Sequence, residues 1–126
     1  MLVLDSGGFS YLAARSTATA ALIRSLRRED LWPPLIPTMV LVDSLQGRPG
    51  RDAPLNQFIA TCLLQDSVPL TLARRAAELR RRARKGSAVD ALVIALAEPD
   101  GAVLTGDVAD LHALAAHTKQ VTVIGV

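Results

Sequence analysis

Short apolar runs alternate with longer segments of helical periodicity along the whole chain. Leu2-Val3-Leu4 is closed by Asp5-Ser6-Gly7-Gly8, which predicts a buried strand entering a turn and then a helix to about Ala14. Thr17 to Glu29 places Ala18, Leu22 and Leu26 on one helical face. Pro33, Pro34 and Pro37 bracket a short extended segment, Leu35-Ile36. Thr38 is positioned to cap a helix from Met39 to Gln46 that stops at Gly47. Residues 47–54, GRPGRDAP, read as the clearest loop, followed by a helix over Leu55–Gln65 and a weak strand at Val68-Pro69-Leu70.

From Thr71 a basic helix turns Leu72, Ala76, Leu79 and Ala83 inward, with Arg74, Arg75, Arg81, Arg82 and Lys85 on or near the opposite face. Gly86-Ser87 ends it and caps Ala88–Glu98, which is apolar nearly all round and so belongs at the centre. After the turn Pro99-Asp100-Gly101, the pattern gives a strand at Ala102–Thr105, a helix from Asp107 to about Ala116 and a last strand at Val121–Ile124. Short strands alternating with helices predict an α/β fold: a mainly parallel sheet between two helical layers.

At 126 residues, with 50% hydrophobic and 21% charged residues, the chain has the balance of one globular domain spanning 1–126. Its longest charge-free run, Ala53 to Gln65, has 13 residues, too short for a membrane span of about 18 or more. The start, MLVLD, lacks the basic and apolar regions of a secretory signal. A lone cysteine, Cys62, makes neither an intramolecular disulfide nor a zinc site. A cytoplasmic protein is expected. The net charge of +2 conceals a segment, residues 74–85, with seven basic groups and one acid.

In parallel α/β sheets, ligands bind outside the carboxyl ends of the strands, which makes the acids there informative. Asp5 follows the first strand directly and Asp107 follows the Ala102–Thr105 strand two residues on. Each also suits a helix N-cap. Asp90 closes Ser87-Ala88-Val89-Asp90, a capping-box pattern compatible with metal binding. Asp43 lies in the apolar run Met39–Leu45. If buried it needs a partner, either Arg48 or a cation. Clustered carboxylates repel by about 4 kcal/mol per pair at 4 Å and an effective dielectric of 20. A cluster therefore implies protons or a hard divalent cation, Mg²⁺ or Mn²⁺. The i, i+5 spacing of His112 and His117 suits one metal poorly, and both read as surface or packing residues.

The ordered set VLDSG, an acid after PTMVLV, SAVDALVIALA and VLTGDVADLHALA resembles the PIN-domain family, and within it the VapC-type toxins of toxin–antitoxin pairs. The resemblance spans essentially the whole chain. It implies a PIN-like three-layer α/β/α fold and a Mg²⁺-dependent endoribonuclease cleaving RNA phosphodiester bonds with metal-activated water. It further implies Asp5, Asp90 and Asp107 as metal acids, a cognate antitoxin, a homodimer and no membrane. The second acidic station, usually Glu in the family, is Asp43 here, shorter by one methylene. A further family acid is replaced by Ala109, with Asp110 the nearest substitute. Ser6 and Thr105 offer accessory hydroxyls. Arg74, Arg75, Arg81, Arg82 and Lys85 are the expected RNA-binding residues, a role weighed against an ordinary solvated face.

Other readings compete. A haloacid-dehalogenase-like phosphatase needs an acid two residues after Asp5, where Gly7 stands. A phosphoacceptor receiver needs adjacent acids and a late lysine, for which only Lys119 offers itself. The alternative closest to the resemblance is a catalytically weakened or inactive RNA- or protein-binding module, with Asp43 as the lesion.

Overall fold

In the computed structural model, which describes residues 1–126, the chain forms β1 (Leu2–Leu4), α1 (Ser6–Ala13), α2 (Thr17–Arg28), β2 (Leu35–Pro37), α3 (Thr38–Ser44) and α4 (Pro49–Ile59). It continues through β3 (Leu63–Gln65), α5 (Leu70–Ala83), α6 (Ala88–Ala97), β4 (Ala102–Thr105), α7 (Val108–Ala115) and β5 (Thr122–Gly125). The five strands are all parallel, in the order β3-β2-β1-β4-β5. Val3 stands beside Leu35 on one side and Val103 on the other. Strand β1 is therefore the middle of the sheet, and its three residues are wholly buried. This is why its sequence is an unbroken apolar run rather than an alternation. Helix α6 presents buried Ala91, Leu92, Val93, Ile94, Ala95 and Ala97, as its all-round apolarity predicts. No helix is long and apolar enough to cross a membrane.

Several local expectations are corrected. Gly7 and Gly8 are not a turn but the first turn of α1. They are there for space: a Cβ on Gly8 would lie 2.2 Å from the Leu104 carbonyl oxygen, and one on Gly7 2.7 Å from the Gly106 nitrogen. Thr38 does not cap α3; its hydroxyl donates to the Gln65 carbonyl at 3.4 Å, and α3 has no side-chain cap. The expected loop at 47–54 is mostly helix, because α4 starts at Pro49. Proline is tolerated at a first helical position, where no N–H is required. Buried Asp52 completes the start by accepting N–H groups of Gln46 (2.9 Å), Gly47 (2.8 Å) and Arg48 (3.2 Å). The expected helix to Gln65 ends at Ile59, and the strand is Leu63–Gln65 rather than Val68–Leu70. Pairing with Leu35–Pro37 overrides the local pattern there.

Two side-chain clusters lock the helices to the sheet. Trp32, just before β2, packs edge-on against Phe58 of α4 at 6.2 Å between ring centroids, with the Arg27 guanidinium of α2 5.4 Å from its ring. Arg75 of α5 makes a bidentate pair with Glu98, at 2.7 and 2.8 Å, and also donates to the His117 carbonyl at 3.1 Å. Lys119 N–H reaches Glu98 at 3.2 Å. One carboxylate thus joins α5, the end of α6 and the segment before β5.

The Arg75 hydrogen bonds hold the Glu98 carboxyl below the usual glutamate range, and burial only partly opposes them. A depressed folded-state pKa stabilises the fold above the unfolded value and loses that stabilisation as pH falls through the folded one. Glu98→Gln is expected to lower unfolding free energy by about 1–3 kcal/mol at neutral pH. Urea unfolding as a function of pH should show the gap to the parent closing below about pH 4.3, the ordinary glutamate value.

Candidate active site

The strand order reverses between β1 and β4: the chain builds outward from β1 to β3, then returns to add β4 and β5 on the other side. Such a switch point opens a crevice at the carboxyl ends of the two strands, because the following loops diverge. Asp5 leaves β1 there and Asp107 follows β4. Helices α1 and α7 start at this edge. So does α6, since its far end feeds the start of β4 through the Gly101 N–H to Ala97 carbonyl bond at 2.9 Å. With α3, which leaves β2 at Thr38, four helix N-termini lie along this edge, where negative charge is favoured.

Asp5 is 7% exposed and acts as the N-cap of α1, accepting the Gly8 N–H at 2.8 Å on Oδ1. Its Oδ2 accepts a hydrogen bond from the Thr105 hydroxyl at the end of β4. Thr105 Oγ1 in turn accepts the Asp107 N–H at 2.8 Å. A buried carboxylate without donors is costly, and these contacts offset that cost while fixing its orientation. Asp107 occupies the N-cap position of α7, yet its side chain makes no cap hydrogen bond and stands exposed. Capping thus explains Asp5 in part and the Asp107 carboxylate not at all.

The other predicted residues divide. Asp90 forms the full capping box with Ser87: the Asp90 N–H donates to Ser87 Oγ, and the Ser87 N–H to Asp90 Oδ2, both at 3.0 Å. Asp43 corrects the burial argument, because it stands exposed near the end of the short helix α3 and needs neither Arg48 nor a cation to offset desolvation. Only Val40 and Leu41 of that helix are buried. Asp110 is half-buried in the first turn of α7, and Ser6 half-buried at the start of α1. His112 is exposed and His117 half-buried, neither part of the crevice chemistry. Burial pushes the Cys62 thiol up, partly countered by its Thr61 contact, so it is no ready thiolate.

The basic residues also separate. Arg75 is committed to Glu98 and, at 3.2 Å, to Glu78, and Arg82 reaches Glu78 at 3.8 Å. Arg74, Arg81 and Lys85 are exposed and carry no ion pair. Arg80 and Arg84, which sequence reasoning passed over, join Arg81 and Lys85 around an open groove. The overlooked signal was the break at Gly86, which places the residues before it at a chain reversal.

The donors at the crevice are all oxygen: two carboxylates and a hydroxyl, a set that suits a hard cation and not zinc. Asp107 offers an exposed carboxylate of this kind, and Asp5 one whose two oxygens each already accept a hydrogen bond. No three acidic, histidine or cysteine side chains are gathered closely enough to hold one ion between them.

No known family's sequence profile matches the chain, and no curated protein matches it. Solved structures do. VapBC2 from Rickettsia felis, bound to a DNA fragment from its promoter, matches over 99% of this chain and 98% of its own, with TM-score 0.72 and 11% identity. FitAcB from Neisseria gonorrhoeae matches over 99% and 97%, with TM-score 0.61 and 20% identity. The fold is the PIN-like α/β/α arrangement of such structures.

Thr105→Val removes the hydroxyl that serves Asp5 and Asp107 together. It is expected to cost about 1–3 kcal/mol by leaving a buried carboxylate oxygen short of a donor. Thr105→Ser should recover most of that loss in the same urea titration.

Proposed function

We propose that the chain is a metal-dependent endoribonuclease, the toxin of a toxin–antitoxin pair. The observation that carries this reading is the uncapped, solvent-facing Asp107 carboxylate beside buried Asp5 at the switch point of a PIN-like sheet. Asp5 and Asp107 would hold Mg²⁺ or Mn²⁺, and Asp90, paired with Ser87 on the same edge, would have to leave that capping box to join them. When bound, such a cation lowers the pKa of a water and offsets charge on the scissile phosphate.

The chain's own residues do the positioning. Thr105 fixes the Asp5 carboxylate through its hydroxyl, and the Asp107 N–H fixes Thr105, so the first acid is oriented before any ligand arrives. The helix N-termini along the edge favour a phosphate anion. Ser6 and Asp110 stand close in sequence to the two central acids and serve as accessory groups. Asp43 takes the second acidic station with a shorter side chain.

A cognate antitoxin finds a seat on the neighbouring surface. An apolar groove of about 240 Å³ runs between Met39, Val68, α5 and the start of α6, where Ala88 and Leu92 line it. Leu63, Leu64 and Leu70 expose further apolar surface on and after the edge strand β3, which suits a second copy of the chain in a homodimer. The dispersal of the acids favours a second reading, a non-catalytic RNA- or protein-binding module in which Asp90 is only a cap.

Incubation with structured RNA in Mg²⁺ should give cleavage that EDTA abolishes. Asp5→Asn and Asp107→Asn should abolish it while the proteins stay folded, and Asp43→Glu should preserve or raise it. Cleavage surviving full chelation, or absent in every metal while RNA still binds, would sink the ribonuclease reading.

A further inference from the structure

The basic run of α5 performs two jobs that its sequence does not separate. On one side Glu98 and Glu78 take up Arg75 and Arg82. On the other, Arg80, Arg81, Arg84 and Lys85 have no acidic partner and line an open groove whose remaining wall is Ala77 and Gly86. The C-terminal dipole of α5 favours cations in its last turn by about 0.3–1 kcal/mol each. That accounts for a basic residue or two, not for four cations gathered around one hollow.

The groove is held in shape. Arg84 is the C-cap of α5 in the left-handed region, φ 54°, and its N–H bonds the Arg80 carbonyl at 2.9 Å. The Arg80 guanidinium reaches the Gly86 carbonyl at 3.4 Å. Gly86 sits at φ 86°, a conformation L side chains rarely adopt, and a Cβ there would come within 2.7 Å of Leu114 Cδ1. The cationic groove therefore ends at Gly86, next to Ser87, the N-cap of α6.

We propose that Arg80, Arg81, Arg84 and Lys85 form a phosphate-binding groove that holds RNA by its backbone. The assignment rests on the ribonuclease reading and moves the RNA contacts away from Arg75 and Arg82. No aromatic residue lines the groove, so bases find no stacking platform and recognition is independent of sequence. Apolar anchors for a protein segment lie in the adjoining groove, which shares only Ala77 and Arg80 with this one, so Arg81, Arg84 and Lys85 are the cations that carry the assignment.

Filter binding of radiolabelled oligouridylate in EDTA, across a salt series, tests the groove without cleavage. Each single-strand phosphate contact contributes about 0.7 to the slope of log affinity against log salt. Arg81→Gln with Arg84→Asn, which keeps a residue tolerant of the left-handed cap, should reduce that slope by about 1.4. Lys85→Gln alone, beyond the helix, should reduce it by about 0.7. Arg24→Gln with Arg28→Gln removes equal charge from α2 and should leave the slope unchanged. Equal effects from both pairs, or no effect from the groove variants, overturn the proposal. So does a groove that binds polyglutamate while its variants bind RNA normally. If the slope changes as expected but the parent protein never cuts RNA in Mg²⁺, the groove stands and the ribonuclease reading falls.

Discussion

The hydrogen bond from Thr105 to Asp5 joins the ends of the two central strands, β1 and β4, where the order of the sheet reverses. Everything at the carboxyl edge is set from that contact. It orients a buried acid, and through the Asp107 N–H it fixes the entry into α7. It also requires α1 to lie close against β4, which is why Gly7 and Gly8 cannot carry side chains. The acid is thus both a structural member of the sheet and the most constrained ligand candidate in the crevice.

The opposite edge is held by a different device. Glu98 collects Arg75, the Lys119 N–H and, through Arg75, the His117 carbonyl. This anchors the α5–α6 hairpin at one end and leaves its other end, with the cationic groove, beside the carboxyl edge. The arrangement places fixed structure and exposed charge on one helix without mixing them. The Arg75 guanidinium, pushed up mainly by its Glu98 hydrogen bonds, keeps its charge throughout.

The order of elements was legible in the sequence because strong local patterns coincide with tertiary burial. Leu2–Leu4, Ala102–Thr105 and the apolar Ala88–Ala97 helix are all central, and each is found where its pattern puts it. Where the pattern misled, a long-range contact decided. Leu63–Gln65 is a strand because β2 offers a free edge, and Pro49 opens a helix because Asp52 collects three N–H groups ahead of it. The acids at strand ends, Asp5 and Asp107, were readable by the same logic. Asp43 was not, because a helix of seven residues can carry apolar side chains that face solvent: Val42 is 80% exposed. The partition of the arginines was hidden too, since it depends on Glu98, 23 residues beyond Arg75.

The single tryptophan sits at the amino end of β2, across the sheet from the carboxylates. Its ring touches Phe58 of α4 and the Arg27 guanidinium of α2, and packs against the edge of the core. Its emission consequently reports the docking of those helices onto the core. A ligand bound in the crevice would shift the temperature at which that light changes. The shift then measures ligand binding through mass action alone, which gives the protein an optical gauge of affinity that needs no added dye.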